Sequence, residues 1–281
     1  MELQAPPLPG VPVPLSVSLE RHGDFVAFYE VLVERCYRQL LEQIVPGDVV
    51  VDAGANIGLF SLLASYRTGK EGVVLAIEPN PQNFQRLVSL VERNHLDNVR
   101  VFPYALGAPG QSEAWMAGDG IRSRVVGTST GQYAVRSVTL DDLVREQRVR
   151  PTLLKMDIEG SECGAFEGLK ENLRHLRAVS IEIHDRIAEE VIRSALGEFR
   201  VVLLDRSGWG AYIRFGCYHP LLLSRIEWNN RFLSVRRALR DQLDVSGSVG
   251  GYPVNWFARR VQGDRTVVPQ RDGRPDLMGE V

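Results

Sequence analysis

Cysteine is scarce in this chain, three residues in 281, and those three do not cluster. Cys36, Cys163 and Cys217 are widely separated, odd in number and without metal-ligand spacing. Buried free thiols are therefore expected, not a disulfide framework or a structural zinc site. No apolar run approaches the length of a membrane span, and the proline-rich start, Ala5 to Pro14, lacks a basic region followed by an apolar one. The expectation is a cytoplasmic protein with no membrane partner. Charge of one sign is also lacking: 33 basic side chains face 35 acidic ones, for a net charge of −2. The arginines are dispersed apart from Arg236-Arg237 with Arg240 and the pair Arg259-Arg260, read as a solvated helix face and a strand end. A nucleic-acid enzyme of this size would more often carry a basic field to collect phosphates, which argues against a nucleic-acid partner without excluding RNA. What remains is a chain with 44% hydrophobic residues, enough for one large α/β domain with an appendage.

The most informative stretch that is present runs from Val49 to Ser61. A β-branched run, Val49-Val50-Val51, stops at Asp52, passes through Ala53-Gly54-Ala55-Asn56-Ile57-Gly58, and opens into Leu59, Phe60, Leu62 and Leu63. That is a buried strand, a tight turn and a helix start, the arrangement in which main-chain N–H groups face a ligand. Gly54 and Gly58 let a ligand approach the backbone, and Asn56 is among the few side chains that tolerate a left-handed conformation. A dinucleotide is one candidate ligand, because Glu78 ends the next apolar run, Val73 to Ile77, about 20 residues after the loop. Yet the loop is not G-x-G-x-x-G, and Asp52 would repel a diphosphate. S-adenosylmethionine, with an ammonium and a sulfonium, fits an acid at this place better, and Glu78 would then accept hydrogen bonds from its ribose.

Periodicity organises the rest. Phe25, Phe28, Tyr29, Leu32, Val33, Cys36, Leu40, Leu41 and Ile44 recur at helical spacing, predicting one amphipathic helix that ends at Pro46-Gly47-Asp48. Helices are predicted at Pro81 to Asn94, Asp141 to Glu146, Cys163 to Leu173 and Ala188 to Leu196. Strands are predicted at Val99 to Phe102, Arg136 to Leu140, Leu153 to Asp157, Val179 to Ile183, Arg200 to Leu204 and Val254 to Val261. Alternating strands and helices imply a parallel sheet covered on both faces. The expected division is an N-terminal extension and helix at 1–47, a main domain at 48–262 and a flexible tail at 263–281. The aromatic, glycine-punctuated insertion at 206–250, with Trp209, Tyr212, Phe215, Tyr218 and Trp228, suits either a lid over a pocket or ordinary packing.

An ordered set of motifs carries a family resemblance. Asp52 to Gly58, Ile77-Glu78-Pro79-Asn80-Pro81 with Asn83-Phe84 and Leu87, Ala105-Leu106-Gly107, Leu154 to Glu162, and Ile181-Glu182-Ile183-His184 occur in that order. The set resembles the FkbM family of S-adenosylmethionine-dependent methyltransferases, over roughly Asp48 to Arg200. The resemblance implies a Rossmann-like class I methyltransferase fold, an α/β seven-stranded, mostly parallel sheet with helices on both faces. It also implies O-methylation of a sugar or secondary-metabolite hydroxyl, a small-molecule acceptor. Cofactor contacts are then expected from Asp52, Gly54, Asn56, Gly58, Glu78, Pro79, Asn80, Ala105 and Asp157.

Methyl transfer from a sulfonium needs an aligned nucleophile and a proton acceptor. Asp157 ends a strand where open α/β sheets bind ligands, and Glu159 and Glu162 add carboxylates nearby. The group could bind a divalent cation, one member could act as general base, or the acids could simply favour the helix start near Cys163. His184, one residue beyond Glu182's neighbour on the same edge, suits proton transfer near neutral pH or a bond to Glu182. The catalytic candidates are thus Asp157, His184 and Glu182; no metal ligand is assigned, and a metal-free route is favoured because no second cluster completes an octahedral shell. No Asn-Pro-Pro-aromatic sequence follows the strand that ends at Asp157, and no cytosine-methyltransferase cysteine motif is present, which favours oxygen as acceptor atom. An RNA methyltransferase and a non-catalytic S-adenosylmethionine-binding module are the alternatives.

Overall fold

The computed structural model describes residues 2–5, 15–34, 36–118, 124–126, 130–184, 186–197, 199–204 and 254–260. The expected aromatic insertion at 206–250, the thiol of Cys217 and the tail at 263–281 lie outside them. Strands β1 (Glu2–Ala5) and β2 (Leu15–Ser18) pair antiparallel at the start. The single amphipathic helix expected next is broken into α1 (His22–Phe28), a π-helical stretch Tyr29–Glu34 and α2 (Arg38–Leu41). Its apolar stripe still packs inward, with Val31, Leu32, Leu40 and Leu41 in the core, so the period was real while the continuity was not.

From β3 (Val49–Ala53) onward the chain alternates: α3 (Leu59–Thr68), β4 (Val73–Ile77), α4 (Pro81–Arg93) and β5 (Val99–Phe102). Four short strands interrupt the alternation: β6 (Ala105–Leu106), β7 (Glu113–Ala117), β8 (Arg124–Val126) and β9 (Tyr133–Val138). Then come α5 (Leu140–Glu146), β10 (Leu153–Met156), α6 (Glu162–Glu167), β11 (Ala178–Ile183), α7 (Arg186–Ala195), β12 (Phe199–Leu204) and β13 (Val254–Arg260). The helix expected over Cys163 to Leu173 stops at Glu167, where Gly168 takes the C-cap in a non-helical conformation.

Among the described residues the main sheet has seven strands in the order β12-β13-β11-β10-β3-β4-β5, parallel throughout except β13, which runs antiparallel to both neighbours. Strand order reverses between β3 and β10, so a crevice opens at their carboxyl ends, the place where such sheets take ligands. Period-two alternation splits the core. Val50, Val74 and Leu153 face α3, α4 and the N-terminal segment, while Val51, Leu75, Leu154 and Ile181 face α5, α6 and α7. Of the second, four-stranded sheet, β6-β9-β7-β8, only one strand was foreseen, the one expected at Arg136 to Leu140, which overlaps β9; the sheet's strands run from two to six residues. Among the described residues no helix is long and apolar enough to cross a membrane.

Candidate active site

The loop after β3 turns through positive φ at Gly54 (76°), Asn56 (51°) and Gly58 (90°). A Cβ at Gly54 would lie 1.8 Å from the main-chain carbonyl oxygen of Asp157, so this glycine first admits the exit of the neighbouring strand and only then a ligand. Gly58 is demanded by α4: a Cβ there would meet Leu87 Cδ1 at 2.6 Å, and Gly58 does not line the cavity described below. The loop amides are turned on the protein itself. Gly54 and Ala55 both donate to the Ile77 carbonyl, at 3.0 and 2.9 Å, Gly58 donates to Ala55, and Asn56 donates to Glu78 Oε2 at 2.8 Å. These four amides are therefore not offered to an incoming phosphate.

Asp52, expected to meet a ligand's ammonium, is fully buried and does not line the crevice. Its carboxylate accepts from Ser61 Oγ at 2.6 Å and lies 3.2 Å from Lys155 Nζ, its register partner on β10. Lys155 also donates to the carbonyls of Gly54 (2.6 Å) and Ala53 (3.3 Å), tying the loop to the next strand. Burial works to discharge this ammonium, but Asp52, Asp157 and Glu78 outweigh it and raise its pKa above the ordinary lysine value. Sequence reasoning missed Lys155, although a lysine inside the buried run Leu153-Leu154-Lys155-Met156 has to find charged partners.

At one end of the crevice, Glu78 is held by the backbone. It accepts from the N–H groups of Asn56 and Asn80, the latter at 2.9 Å. Burial pushes its pKa up to about 7 against those bonds and against Lys155 and Asn83. Asn80 serves α4 instead of the crevice: its Oδ1 caps the amides of Gln82 (2.9 Å) and Asn83 (3.1 Å), and its Nδ2 donates to the Tyr133 hydroxyl at 3.1 Å.

At the other end, side chains hold side chains, with one main-chain bond added: the Gly160 N–H donates to Glu162 Oε1 at 3.0 Å. The β10–β11 register pairs Met156 with Ile181, which sets Asp157 beside Glu182 with His184 just beyond. One ligand atom from each of Asp157, Glu182 and His184 lies within 4.8 Å of the others, so the three catalytic candidates do converge and their donor set could also bridge a divalent cation. His184 Nδ1 is 2.7 Å from Glu162 Oε1, and Nε2 is 3.5 Å from Glu159 Oε2. A bond to Glu182 or to backbone was one alternative for His184; the short contact at Nδ1 is to Glu162, which α6 brings inward with no exposed surface. Burial lowers the imidazole's pKa, but the Glu162 bond and the charges of Glu162, Glu159 and Asp157 raise it to about 9. Burial and Asp157 push Glu159 up to about 7, even though His184 counters them. Tyr37, another residue the sequence reading passed over, donates its hydroxyl to Asp157 Oδ2 at 3.0 Å.

Between the two ends lies an open cleft. Of the candidate residues, Gly54, Asn56, Glu78, Pro79, Ala105 and Asp157 line it; Asp52, Gly58, Asn80, Glu182 and His184 do not. The small sheet supplies the opposing wall through Met116, Arg124 and Val125. Cys36 and Cys163, the thiols among the described residues, are in no disulfide and half-buried.

This architecture is the Rossmann-like class I methyltransferase fold. The chain belongs to the methyltransferase FkbM domain family, whose model matches residues 52–208. It is 29% identical over 171 residues to the hexuronic acid methyltransferase AglP of Haloferax volcanii, covering 58% of this chain and 67% of that protein. It is also 29% identical over 217 residues to the 31-O-demethyl-FK506 methyltransferase FkbM of Streptomyces tacrolimicus, covering 65% and 80%. Among solved structures, methyltransferase FkbM from Methylobacillus flagellatus is similar at a TM-score of 0.42 and 19% identity, with 66% of this chain matched to about half of that one, 52%.

Proposed function

We propose that the chain transfers a methyl group from S-adenosylmethionine to a hydroxyl of a sugar or secondary metabolite. The observation that carries the cofactor reading is the disposition of charge around the cleft. Its glycine loop spends the amides of Gly54, Ala55, Asn56 and Gly58 internally, while carboxylates stand at both ends. Such a cleft suits a cationic ligand and disfavours a diphosphate. Glu78 is the acceptor for the ribose hydroxyls; Gly54, Asn56, Pro79 and Ala105 shape the walls around the nucleoside. Asp52, Gly58 and Asn80 act at one remove, by holding Lys155, α4 and the strand ends in place.

When bound, the cofactor supplies an activated methyl group. The chain must then align the acceptor oxygen opposite the sulfur and remove its proton as the carbon–oxygen bond forms and the carbon–sulfur bond breaks. Asp157, at the cleft and beside Glu182, is the proton acceptor in this reading. His184, with a pKa raised to about 9, is protonated at neutral pH and serves as the cation that gathers Glu162, Glu159 and Asp157. That reassigns the base role away from the imidazole.

The names of the relatives choose the acceptors to test: hexuronates, neutral sugars and polyketide hydroxyls, with RNA for comparison. Calorimetry with S-adenosylmethionine and S-adenosylhomocysteine comes first, then methyl transfer with and without chelator. Binding with transfer to a hydroxyl is expected. Binding without transfer to any acceptor would favour the non-catalytic module, and failure to bind either nucleoside would overturn the proposal.

A further inference from the structure

Tyr37 lies outside the region the family model matches, in the turn where the N-terminal helical segment breaks before α2. It is nevertheless only 5% exposed and reaches the centre of the site. Its ring makes an edge contact with Phe60 on α3, centroids 5.4 Å apart, and Lys155 Nζ stands 5.4 Å from the ring centre. Its hydroxyl donates to Asp157 Oδ2 across 120 residues of sequence. The ring is thus fixed by an aromatic neighbour and a buried cation, and the one polar atom it carries is spent on the carboxylate that lines the cleft.

We infer that Tyr37 is a positioning residue: the segment preceding the family domain aims the Asp157 carboxylate. The inference rests on the assignment of Asp157 to the functional site. A carboxylate on a short side chain has two rotatable bonds, and a donor on a rigid ring selects one orientation of it. The main chain contributes in the same direction, because the Asp157 N–H donates to the Ala53 carbonyl at 3.0 Å and so fixes the backbone from which the carboxylate projects. Removing the phenol oxygen alone leaves the ring, its Phe60 contact and its place under Lys155 intact, and takes away the bond to the carboxylate.

A double-mutant cycle tests this in the full chain, with Tyr37→Phe, Asp157→Asn and the pair, reading both the dissociation constant for S-adenosylhomocysteine and the turnover number. The expected result is that Tyr37→Phe shifts the same parameter as Asp157→Asn, by roughly tenfold, the factor for losing a hydrogen bond to a charged group. In the Asp157→Asn background it should change that parameter by less than about twofold. Additive effects, or a Tyr37→Phe protein equal to wild type beside an impaired Asp157→Asn, overturn the inference and leave the site assignment standing. An Asp157→Asn protein normal in both readouts overturns the site assignment itself. Tyr37→Leu, which deletes ring and hydroxyl together, is the packing control. If Tyr37→Phe lowers the thermal midpoint as far as Tyr37→Leu does, the hydroxyl is a structural group and the inference falls.

Discussion

The two ends of the cleft solve the same problem, a carboxylate kept beside a ligand site, by different means. At the β4 end, Glu78 is held by the amides of Asn56 and Asn80, groups that any sequence would supply if the chain turned the same way. At the β10–β11 end, Asp157 and Glu162 are held by the side chains of Tyr37 and His184, groups that a single substitution removes, beside one main-chain bond from the Gly160 N–H to Glu162 Oε1 at 3.0 Å. The first end is set by backbone geometry. The second is set by exchangeable side chains, and its chemistry can be retuned without disturbing the loop. Backbone-held sites constrain the fold; side-chain-held sites constrain the reaction.

The largest effect should come from breaking the backbone at its tightest point. Gly54→Val places a branched side chain at φ 76° and against the Asp157 carbonyl. A loss of roughly 3 kcal/mol or more of folding stability is expected, along with cofactor binding. Denaturant unfolding measures it, and a variant of wild-type stability that merely fails to bind would show that the glycine serves the ligand alone.

His184→Gln attacks the other end. Removing the imidazole leaves Glu162 buried without its charged partner, at a cost of roughly 1.5–3 kcal/mol near neutral pH. The sign with pH follows from a pKa raised from 6.5 to about 9 in the folded protein: the stabilisation is complete below pH 6.5 and is lost as pH rises through about 9. Thermal midpoints of wild type and variant should therefore converge toward pH 9 and above. A gap that stays constant from pH 6 to pH 10 would rule out a charged imidazole.

Glu78→Gln should weaken S-adenosylmethionine binding by roughly 1–2 kcal/mol at pH 8, because a ribose hydroxyl loses a charged acceptor. With its pKa raised to about 7, Glu78 of the free protein gives up its proton as pH rises from 6 to 8, and wild-type affinity should rise over that window and then level off. Affinity in Glu78→Gln should be flat across the same range by calorimetry. A wild-type curve that is equally flat would detach Glu78 from the ribose.

The smallest effect separates Asn80 from its neighbour. Asn80→Ala deletes the cap of α4 and should cost about 1 kcal/mol of stability while leaving cofactor affinity unchanged. A dissociation constant that rises with no change in stability would return Asn80 to the ligand site.

The backbone-held end is also the one that sequence made legible. The strand, loop and helix from Val49 to Leu63, the left-handed Asn56, the acid after β4 and the α4 start at Pro81 all follow from local patterns of small, β-branched and capping residues. The convergence of Asp157, Glu182 and His184 was legible too, since parallel strands place their carboxyl ends on one edge. Partners were not. That Asp52 would turn inward to Lys155, that His184 would take Glu162 instead of Glu182, and that Tyr37 would reach Asp157 depend on side chains meeting across long stretches of chain, which no local period encodes. Most of the small sheet escaped for a related reason: strands as short as Ala105–Leu106 are held by their pairing partners more than by their own propensity.

The position of β13 carries a consequence for how the molecule is made. It lies between β11 and β12, although it follows β12 by some fifty residues, and it pairs with both along six or more positions. During synthesis, β11 and β12 therefore emerge first and wait with their facing edges open, two rows of unpaired amides and carbonyls of the kind that invite pairing with other chains. The last described strand of the sheet is its keystone, since it alone joins β12 to β11 among the described residues. Closing the sheet thus requires β13 to pair across some fifty residues, the kind of nonlocal pairing that is formed late and slowly in β topologies.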